Sequence, residues 1–408
     1  MPVADVPTRA DPWGLARTPA VPPPGNAPLA YAELVLTGRC AGGCLTCLTP
    51  SAAAGEPARK TEADLELESA AFRHILRRLQ AFGVRLVTFY GREPLEWDRE
   101  ASSRFLAGLI AYAHDELGLR VCLATSGLWP LDAVLPPLFA GGGILFMKNW
   151  GSPASVAALM AAPRAAERTQ AAWDQALRLR AGHARARLIA EFLYTRLNRA
   201  DLLPFWEWAW RHDVRPFIET PVLAGHARAR ADTLVASDAD YVADLYALSL
   251  LNLQLRYGLS PDAARTSDLW QPPFGSLFPS PCDKLTAGRG VFVERDGTLY
   301  VCCGVPVRLG HVDDADLPRA LTGHPVLQRI RDAYTHLGGA CGACAYSRSL
   351  SVCYGCRGHA MTWGSAPEPL GEDPGCFLLA AARLGPERLS RFLSAPHLRR
   401  LQEAWPCR

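Results

Sequence analysis

Apolar and polar positions in the first half of the chain follow a strand-then-helix rhythm. Leu34 to Thr37 is a short apolar run that leads into a loop holding Gly38 and Cys40. Leu65 to Phe82 repeats its apolar residues at helical spacing, with acidic residues early and Arg77 and Arg78 late, as the helix dipole favours. Val84 to Tyr90 is a β-branched and aromatic strand that stops at Gly91. A helix across Ser103 to Leu117, a strand at Val121 to Thr125, a helix near Leu131 to Phe139, a strand at Ile144 to Lys148 and a long helix within Ala154 to Arg180 are expected next. Arg187 to Thr195, a helix through Asp201 to His212, and Val214 to Glu219 bring the strands to six. Such alternation predicts an α/β fold with a parallel sheet and helices outside, an incomplete TIM-type barrel.

The rhythm then changes. Ser237 is a candidate N-cap for a helix to Tyr257, and Ser260 to Pro281 is rich in Pro, Ser and Gly, so a linker is expected there. The stretch to Cys376 carries eight cysteines in short turn-rich segments, and from Phe377 the pattern is helical again. A region so poor in long apolar runs needs another source of cohesion, and metal ligation supplies one. The domains read as a Pro-rich arm over 1–30, a barrel over 31–235, a helical linker over 236–280, a cysteine-rich unit over 281–380 and a helical tail over 381–408. The first 28 residues hold eight prolines, and no internal repeat is present.

Composition adds exclusions. The chain has 408 residues, 49% apolar and 20% charged, with a net charge of +3, which excludes a disordered chain and argues against nucleic-acid binding. No run is long enough to span a bilayer; the best, Tyr246 to Leu255, is broken by Ser249, Asn252 and Gln254. The opening residues lack the apolar core of a secretory leader, so a cytosolic, reducing location is expected. There, thirteen cysteines in tight groups point to metal or redox chemistry rather than crosslinks.

Cys40, Cys44 and Cys47 form C-x3-C-x2-C directly after the first strand, at the end where parallel barrels build their sites. Three thiolates can hold three irons of a cubane cluster and leave the fourth open, whereas zinc would need a fourth protein ligand or a water, and no His lies nearby in sequence. The chain here resembles the radical SAM superfamily, whose motif is C-x3-C-x2-C on the loop after strand one of a (β/α)6 partial barrel. Tyr90-Gly91-Arg92-Glu93-Pro94 stands where that family usually has G-G-E-P, a turn whose backbone meets the amino group of S-adenosylmethionine; Arg92 replaces the second glycine. Leu123 to Gly127 closes the third strand much as the family's T-N-G segment does, which adds Ser126. Lys148 and Asn149 close the fourth, where relatives often contact the ribose, and Thr46 replaces the aromatic residue common before the third cysteine. The resemblance thus implies S-adenosylmethionine and a 4Fe-4S cluster with an open iron, with Thr46, Gly91, Arg92, Glu93, Ser126, Lys148 and Asn149 as cofactor contacts.

The second half resembles a SPASM domain, a small seven-cysteine extension of such enzymes with a β-hairpin and short helices. Cys282, Gly297 and Cys302 match its C-x(9–15)-G-x4-C element, and Cys341, Cys344, Cys353, Cys356 and Cys376 follow in order, although the middle is C-x2-C-x8-C-x2-C instead of C-x2-C-x5-C-x3-C. The resemblance implies two auxiliary 4Fe-4S clusters, one on Cys341, Cys344, Cys353 and Cys376, the other on Cys282, Cys302 and Cys356, with Cys303 a candidate fourth ligand. A structural zinc knuckle on the two C-x2-C pairs is the alternative. Cys122 and Cys407 are expected to be unliganded.

These clusters imply reductive cleavage of S-adenosylmethionine to a 5′-deoxyadenosyl radical, hydrogen abstraction from a substrate C–H bond, oxidation through the auxiliary centres, and an external one-electron reductant such as a flavodoxin or ferredoxin. A proton must leave as well, and Glu219, Glu191 and Asp283 are the candidate bases. Sulfatase-maturing relatives carry an aspartate where this chain has Cys303, which argues against formylglycine formation. A ribosomal peptide is the expected substrate, modified by a crosslink, thioether or epimerisation. The 33 residues before Leu34 are too few for a winged-helix leader-binding domain, so a separate leader-binding protein is an expected partner. The alternatives are a small natural product such as a sugar or aminocyclitol, and a non-enzymatic electron carrier. Trp206 and Trp210 share one helical face and are expected to pack on the barrel; His226, Arg228 and Arg230 are read as a solvated group.

Overall fold

The computed structural model describes residues 29–48, 59–273, 290–331, 337–344, 355–363 and 368–403. Strands β1 (Tyr31–Val35), β2 (Leu86–Tyr90), β3 (Arg120–Thr125), β4 (Ile144–Lys148), β5 (Arg187–Leu193) and β6 (Arg215–Glu219) pair in parallel, each with the next. Helices α1 (Glu62–Ala81), α2 (Arg104–Asp115), α3 (Leu135–Ala140), α4 (Pro153–Met160), α5 (Ala165–Arg180) and α6 (Leu202–Arg211) connect them. This is the six-stranded partial barrel read from the periodicity.

Local chemistry fixes the helix ends. Thr61 and Asp64 form a reciprocal capping box on α1, with Asp64 N–H donating to Thr61 Oγ1 at 3.2 Å and Thr61 N–H to Asp64 Oδ2 at 2.8 Å. The single helix expected within 154–180 is two, because the chain turns at Ala161 and Arg164, both at positive φ (46° and 53°), around Pro163. Two short helices, α7 (Gly225–Arg228) and α8 (Ala231–Leu234), precede α9 (Asp238–Tyr257), which Ser237 caps as expected. The expected linker opens instead with α10 (Pro261–Thr266). Trp206 is fully buried and Trp210 packs partly against the core, as their shared face required.

The sheet does not end at β1. Strand β7 (Gly290–Val293) pairs in parallel with β1, and β8 (Thr298–Cys302) and β9 (Val305–His311) continue antiparallel, giving the order β6-β5-β4-β3-β2-β1-β7-β8-β9. The hairpins of the cysteine-rich half are therefore hydrogen-bonded to the barrel. A helix over Phe377–Leu389 packs on α9, with Arg383 bidentate to Asp238 at 2.7 Å on both arms. The last helix, Ala395–Glu403, is held by His397, which stacks on Trp270 at 4.4 Å and meets the Tyr246 hydroxyl at 2.9 Å. No described helix is long and apolar enough to cross a membrane.

Candidate active site

The cysteine loop follows β1 and is tethered on three sides. Leu45 N–H donates to Leu159 O on α4 at 2.9 Å, and Cys47 N–H donates to Cys44 O at 3.2 Å. His226, at the start of α7, donates its N–H to Cys47 O at 2.9 Å and sets its Nδ1 3.2 Å from Cys44 O. That role was invisible in the sequence, where His226 read as a solvated loop residue. Glu96, also missed, is almost fully buried; its carboxylate takes the Ala41 N–H in a very short contact and the Trp129 indole N–H at 3.3 Å. The only sequence signal was an acidic residue inside the apolar Pro94 to Trp97 segment.

A β-carbon placed on Gly42 would lie 3.4 Å from both Cys40 Sγ and Cys44 Sγ, so the two sulfurs stand no more than twice that distance apart. Gly42 N–H points at Cys40 Sγ at 3.4 Å. Burial, and then the nearby Glu93 carboxylate, push the Cys40 thiol up to about 12. Burial also raises Cys44, against the attraction of Lys148. Buried thiols of this kind ionise only beside a cation. Lys148, at the end of β4, supplies one: burial works to lower its pKa, but Cys44, Glu191, Cys47 and Cys40 outweigh it and hold the ammonium well above its ordinary value.

Among the described residues no three His, Cys, Asp or Glu side chains gather closely enough for a single metal ion. Ligand sulfurs of one tetrahedral ion stand roughly 3.8 Å apart. A cluster distributes its thiolates over separate irons, so the sulfur-only donor set, its N–H···S contact and the adjacent cation fit a 4Fe-4S cluster.

The turn after β2 shows why the family-like glycine is replaceable here. Gly91 has φ +91°, and a β-carbon on it would sit 2.5 Å from Val35 Cγ1, so glycine is required. Arg92 adopts φ +41°, the glycine-like backbone, while carrying a side chain whose buried Nε has no hydrogen-bond partner. Glu93 is turned inward. Its Oε1 accepts Thr125 Oγ1–H at 2.7 Å and Leu95 N–H at 3.3 Å, and its Oε2 accepts Ser126 N–H at 2.9 Å and the Ser126 hydroxyl in a very short contact. The Glu93 carboxylate thus joins the ends of β2 and β3, and Gly91 and Arg92 are the turn residues that line the ligand space.

That space is a cavity of about 370 Å³ along the inner face of the strands. Thr46, Cys47, Gly91, Arg92, Ser126 and Lys148 line it, as do the candidate bases Glu191 and Glu219. Lys148 and Glu191 are register partners across β4 and β5. Asn149 holds elsewhere, its N–H on Glu191 O at 2.8 Å and its Oδ1 accepting Gly151 N–H at 3.4 Å. Tyr31, Glu33 and Tyr90 complete the polar interior and were not singled out by sequence. The Tyr90 hydroxyl is held well above its usual range by Cys303 first, then by burial and by Glu33, Glu191 and Glu219.

Part of the wall comes from the cysteine-rich half. Cys302, Cys303 and Cys356 all line the cavity, because the turn after β8 presses on the helix Arg357–Thr362: a β-carbon on Gly304 would lie 2.9 Å from Gly358 Cα. Asp373 organises the rest. Its N–H donates to Cys341 Sγ at 3.3 Å, and its carboxylate accepts Cys356 N–H at 2.6 Å, Gly375 N–H at 2.9 Å and His359 Nδ1–H at 2.9 Å. Burial works to raise the Asp373 carboxyl, but His359 and the Cys356 N–H hold it low. Cys344 N–H donates to Cys341 O at 3.3 Å, and Cys376 begins the helix at Phe377 with its N–H on Asp373 O at 3.1 Å. The Asp373 turn thus holds Cys341, Cys356 and Cys376, while Cys302, Cys303 and Cys356 line the cavity. Cys282, Asp283 and Cys353 lie outside the described residues, as does Cys407, and Cys122 is buried in β3. His359 Nε2 also reaches Thr220 O at 3.1 Å and Trp363 Nε1–H reaches Pro221 O at 2.8 Å, which docks this unit beside Glu219.

No protein-family model matches the chain, and no curated protein matches it significantly. Solved structures do. Native anSMEcpe with bound AdoMet superposes with a TM-score of 0.58 at 14% identity, covering 88% of this chain and 98% of that one. The same protein with bound AdoMet and Cp18Cys peptide, and with bound AdoMet and Kp18Cys peptide, each gives a TM-score of 0.56 at 14% identity, covering 89% of this chain and 99% of the other. The likeness is one of fold. A partial barrel with a C-terminal extension, read from the sequence through its resemblance to radical SAM enzymes with a SPASM domain, is the architecture this chain shares with an AdoMet-bound protein.

Proposed function

We propose that this chain is a radical S-adenosylmethionine enzyme with auxiliary iron–sulfur centres that modifies a C–H bond of a ribosomal peptide by a crosslink, thioether or epimerisation. One observation carries the reading: the loop of Cys40, Cys44 and Cys47 opens, through Thr46 and Cys47, on the same cavity that Cys302, Cys303 and Cys356 line. When bound, the cluster and S-adenosylmethionine supply a 5′-deoxyadenosyl radical able to remove hydrogen from an unactivated carbon.

The chain's own residues do the rest. Lys148 offsets thiolate charge beside the cysteine loop, and the Gly91–Arg92 turn, followed by the anchored Glu93, would take the methionyl end. Phe146 and Phe217, edge to face at 5.3 Å, and Phe292 against Tyr90 at 6.0 Å keep water from the cavity walls. Glu191 and Glu219 stand on that wall as proton acceptors, with Glu191 in the field of the Lys148 ammonium.

The fold shared with peptide-bound forms of anSMEcpe supports a peptide substrate. A small natural product such as a sugar or aminocyclitol is the second reading, favoured by a cavity of a size that suits one compact ligand. An electron carrier would have no use for the Gly91 turn or the cavity. Reconstitution under anaerobic conditions is expected to give about twelve irons per chain and, with reductant and S-adenosylmethionine, 5′-deoxyadenosine. Zinc with little iron would end the auxiliary-cluster reading, and no cleavage dependent on Cys40, Cys44 and Cys47 would end the radical one.

A further inference from the structure

We propose that an arginine-rich surface flanking the cysteine loop docks an acidic one-electron carrier protein, an inference that rests on the radical reading above. Local sequence gives no reason to group these arginines, because they come from three separate segments. The turn from α4 into α5 brings Arg164 and Arg168, the residues after β5 bring Arg196, and α7 with the turn that follows it brings Arg228 and Arg230; all five are exposed. One apolar cluster seats the three segments together. Cys44, Ala165, Leu193, Ala227 and Leu234 are all buried in it, so every one of these arginines stands within three residues of a side chain that shares a cluster with Cys44.

Polar contacts tie the same segments to the loop and to one another. His226 N–H donates to Cys47 O at 2.9 Å, and Arg230 Nη1 donates to His226 O at 3.3 Å, so a guanidinium lies one residue away from the metal loop. A β-carbon on Gly43 would sit 3.4 Å from Ala161 O, in the turn that carries Arg164. Arg196 N–H donates to Leu234 O at 2.8 Å, which fastens the third segment to α8.

The charge on this surface is one-sided. Stretches 161–168, 195–197 and 224–235 hold the five arginines against Glu167 and Asp232, and Glu167 is already paired with Arg164 at 2.6 Å. In a chain whose net charge is +3, that concentrates positive potential in one place. Leu197, 40% exposed beside Arg196, adds an apolar contact of the kind interface centres use. None of the five arginines lines the cavity, whereas Thr46 and Cys47 do, and Gly43 is exposed. The loop therefore meets the ligand space through one set of residues and solvent through another, and the surface beside it is free for a partner other than the substrate. A carrier with an acidic face matches the arginines in sign, and docking there brings its redox group to the shortest approach to the cysteine loop. One electron leaves the carrier, which is oxidised by one, and reduces the cluster by one; no bond is made or broken at the surface.

The test uses photoreduced flavodoxin, an acidic carrier, as the probe, and photoreduced 5-deazaflavin as a small donor that needs no docking. Stopped-flow bleaching of the cluster-loaded protein with flavodoxin is expected to slow about tenfold as salt rises from about 20 mM to about 300 mM, because steering between opposite charges is screened. At the lower salt, Arg228→Glu with Arg230→Glu is expected to lower that rate about tenfold or more, with iron per chain and the 5-deazaflavin rate unchanged. Arg168→Glu with Arg196→Glu, which leaves the Arg230 contact to His226 intact, is expected to act the same way. Flavodoxin rates equal to wild type in both pairs, a rate indifferent to salt, or equal slowing with both donors would overturn the docking surface. Absence of 5′-deoxyadenosine from wild type given 5-deazaflavin and S-adenosylmethionine would instead refute the radical reading itself.

Discussion

Glu93→Gln tests the site's geometry at its most constrained point. The substitution keeps shape and volume, so its effect isolates the carboxylate's two accepting oxygens. Each oxygen accepts a backbone N–H, from Leu95 on one side and Ser126 on the other, and neither backbone group can reverse its direction. Whichever way the Gln amide turns, its NH2 faces one of those donors. One buried N–H then goes unpaired, a loss of about 1–3 kcal/mol, on top of which a charge-assisted bond becomes a neutral one. Taking about 2 kcal/mol, and a unit of barrel size, the melting temperature is expected to fall by roughly 4–8 °C. Differential scanning calorimetry of the iron-free and iron-loaded protein side by side measures this. Because Glu93 joins the β2 and β3 ends that frame the ligand space, affinity for S-adenosylmethionine by isothermal titration is expected to weaken as well. A variant within about 1 °C of wild type in both states, with unchanged affinity, would refute the bridge between the strands.

Three further expectations follow from the same packing. Gly91→Ala combines strain of about 1–2 kcal/mol at φ +91° with a clash on Val35, so urea unfolding is expected to show a loss of about 2–5 kcal/mol, and a neutral result would refute the close approach. Lys148→Met removes the ammonium that faces Cys44, Glu191, Cys47 and Cys40 and is expected to lower stability by about 1–2 kcal/mol in urea unfolding, part of it recovered by adding Glu191→Gln; equal stabilities of the single and double variants would count against an electrostatic link between Lys148 and Glu191. Burial lowers the His397 pKa below its usual value of about 6.5, so the neutral ring is the one that docks the last helix; its contribution is fully present above that value and is lost as pH falls toward the depressed one. Trp270 fluorescence is expected to report that loss, and His397→Gln to abolish the pH dependence.

The barrel was legible because its strands and helices obey different periods, and the cysteine loop because its spacing sits directly after a strand. What escaped the sequence was of two kinds. Breaks set by single backbone angles were missed, as at Ala161 and Arg164, although Pro163 marked the place. Polar groups whose partners lie far along the chain were missed as well: Glu96 holds Ala41 from 55 positions away, and His226 meets Cys44 across 182. Local patterning carries no trace of such pairings. Glu191 and Glu219 could be found because they are acidic residues at strand positions, whereas Tyr90 looked like an ordinary strand aromatic until the fold set it beside Cys303.

The parallel pairing of β1 with β7 makes β1 an interior strand of the nine-stranded sheet. The strand that delivers the cysteine loop is thus braced on both edges, one by the barrel and one by the unit that brings the remaining cysteines. A barrel expressed without that unit would present β1 as a bare edge, open to pairing with another copy, at the strand that positions Cys40. The two halves are therefore poor candidates for modular exchange: grafting a different C-terminal unit would require a replacement for β7 in the same register, or the metal loop would inherit whatever β1 found to pair with.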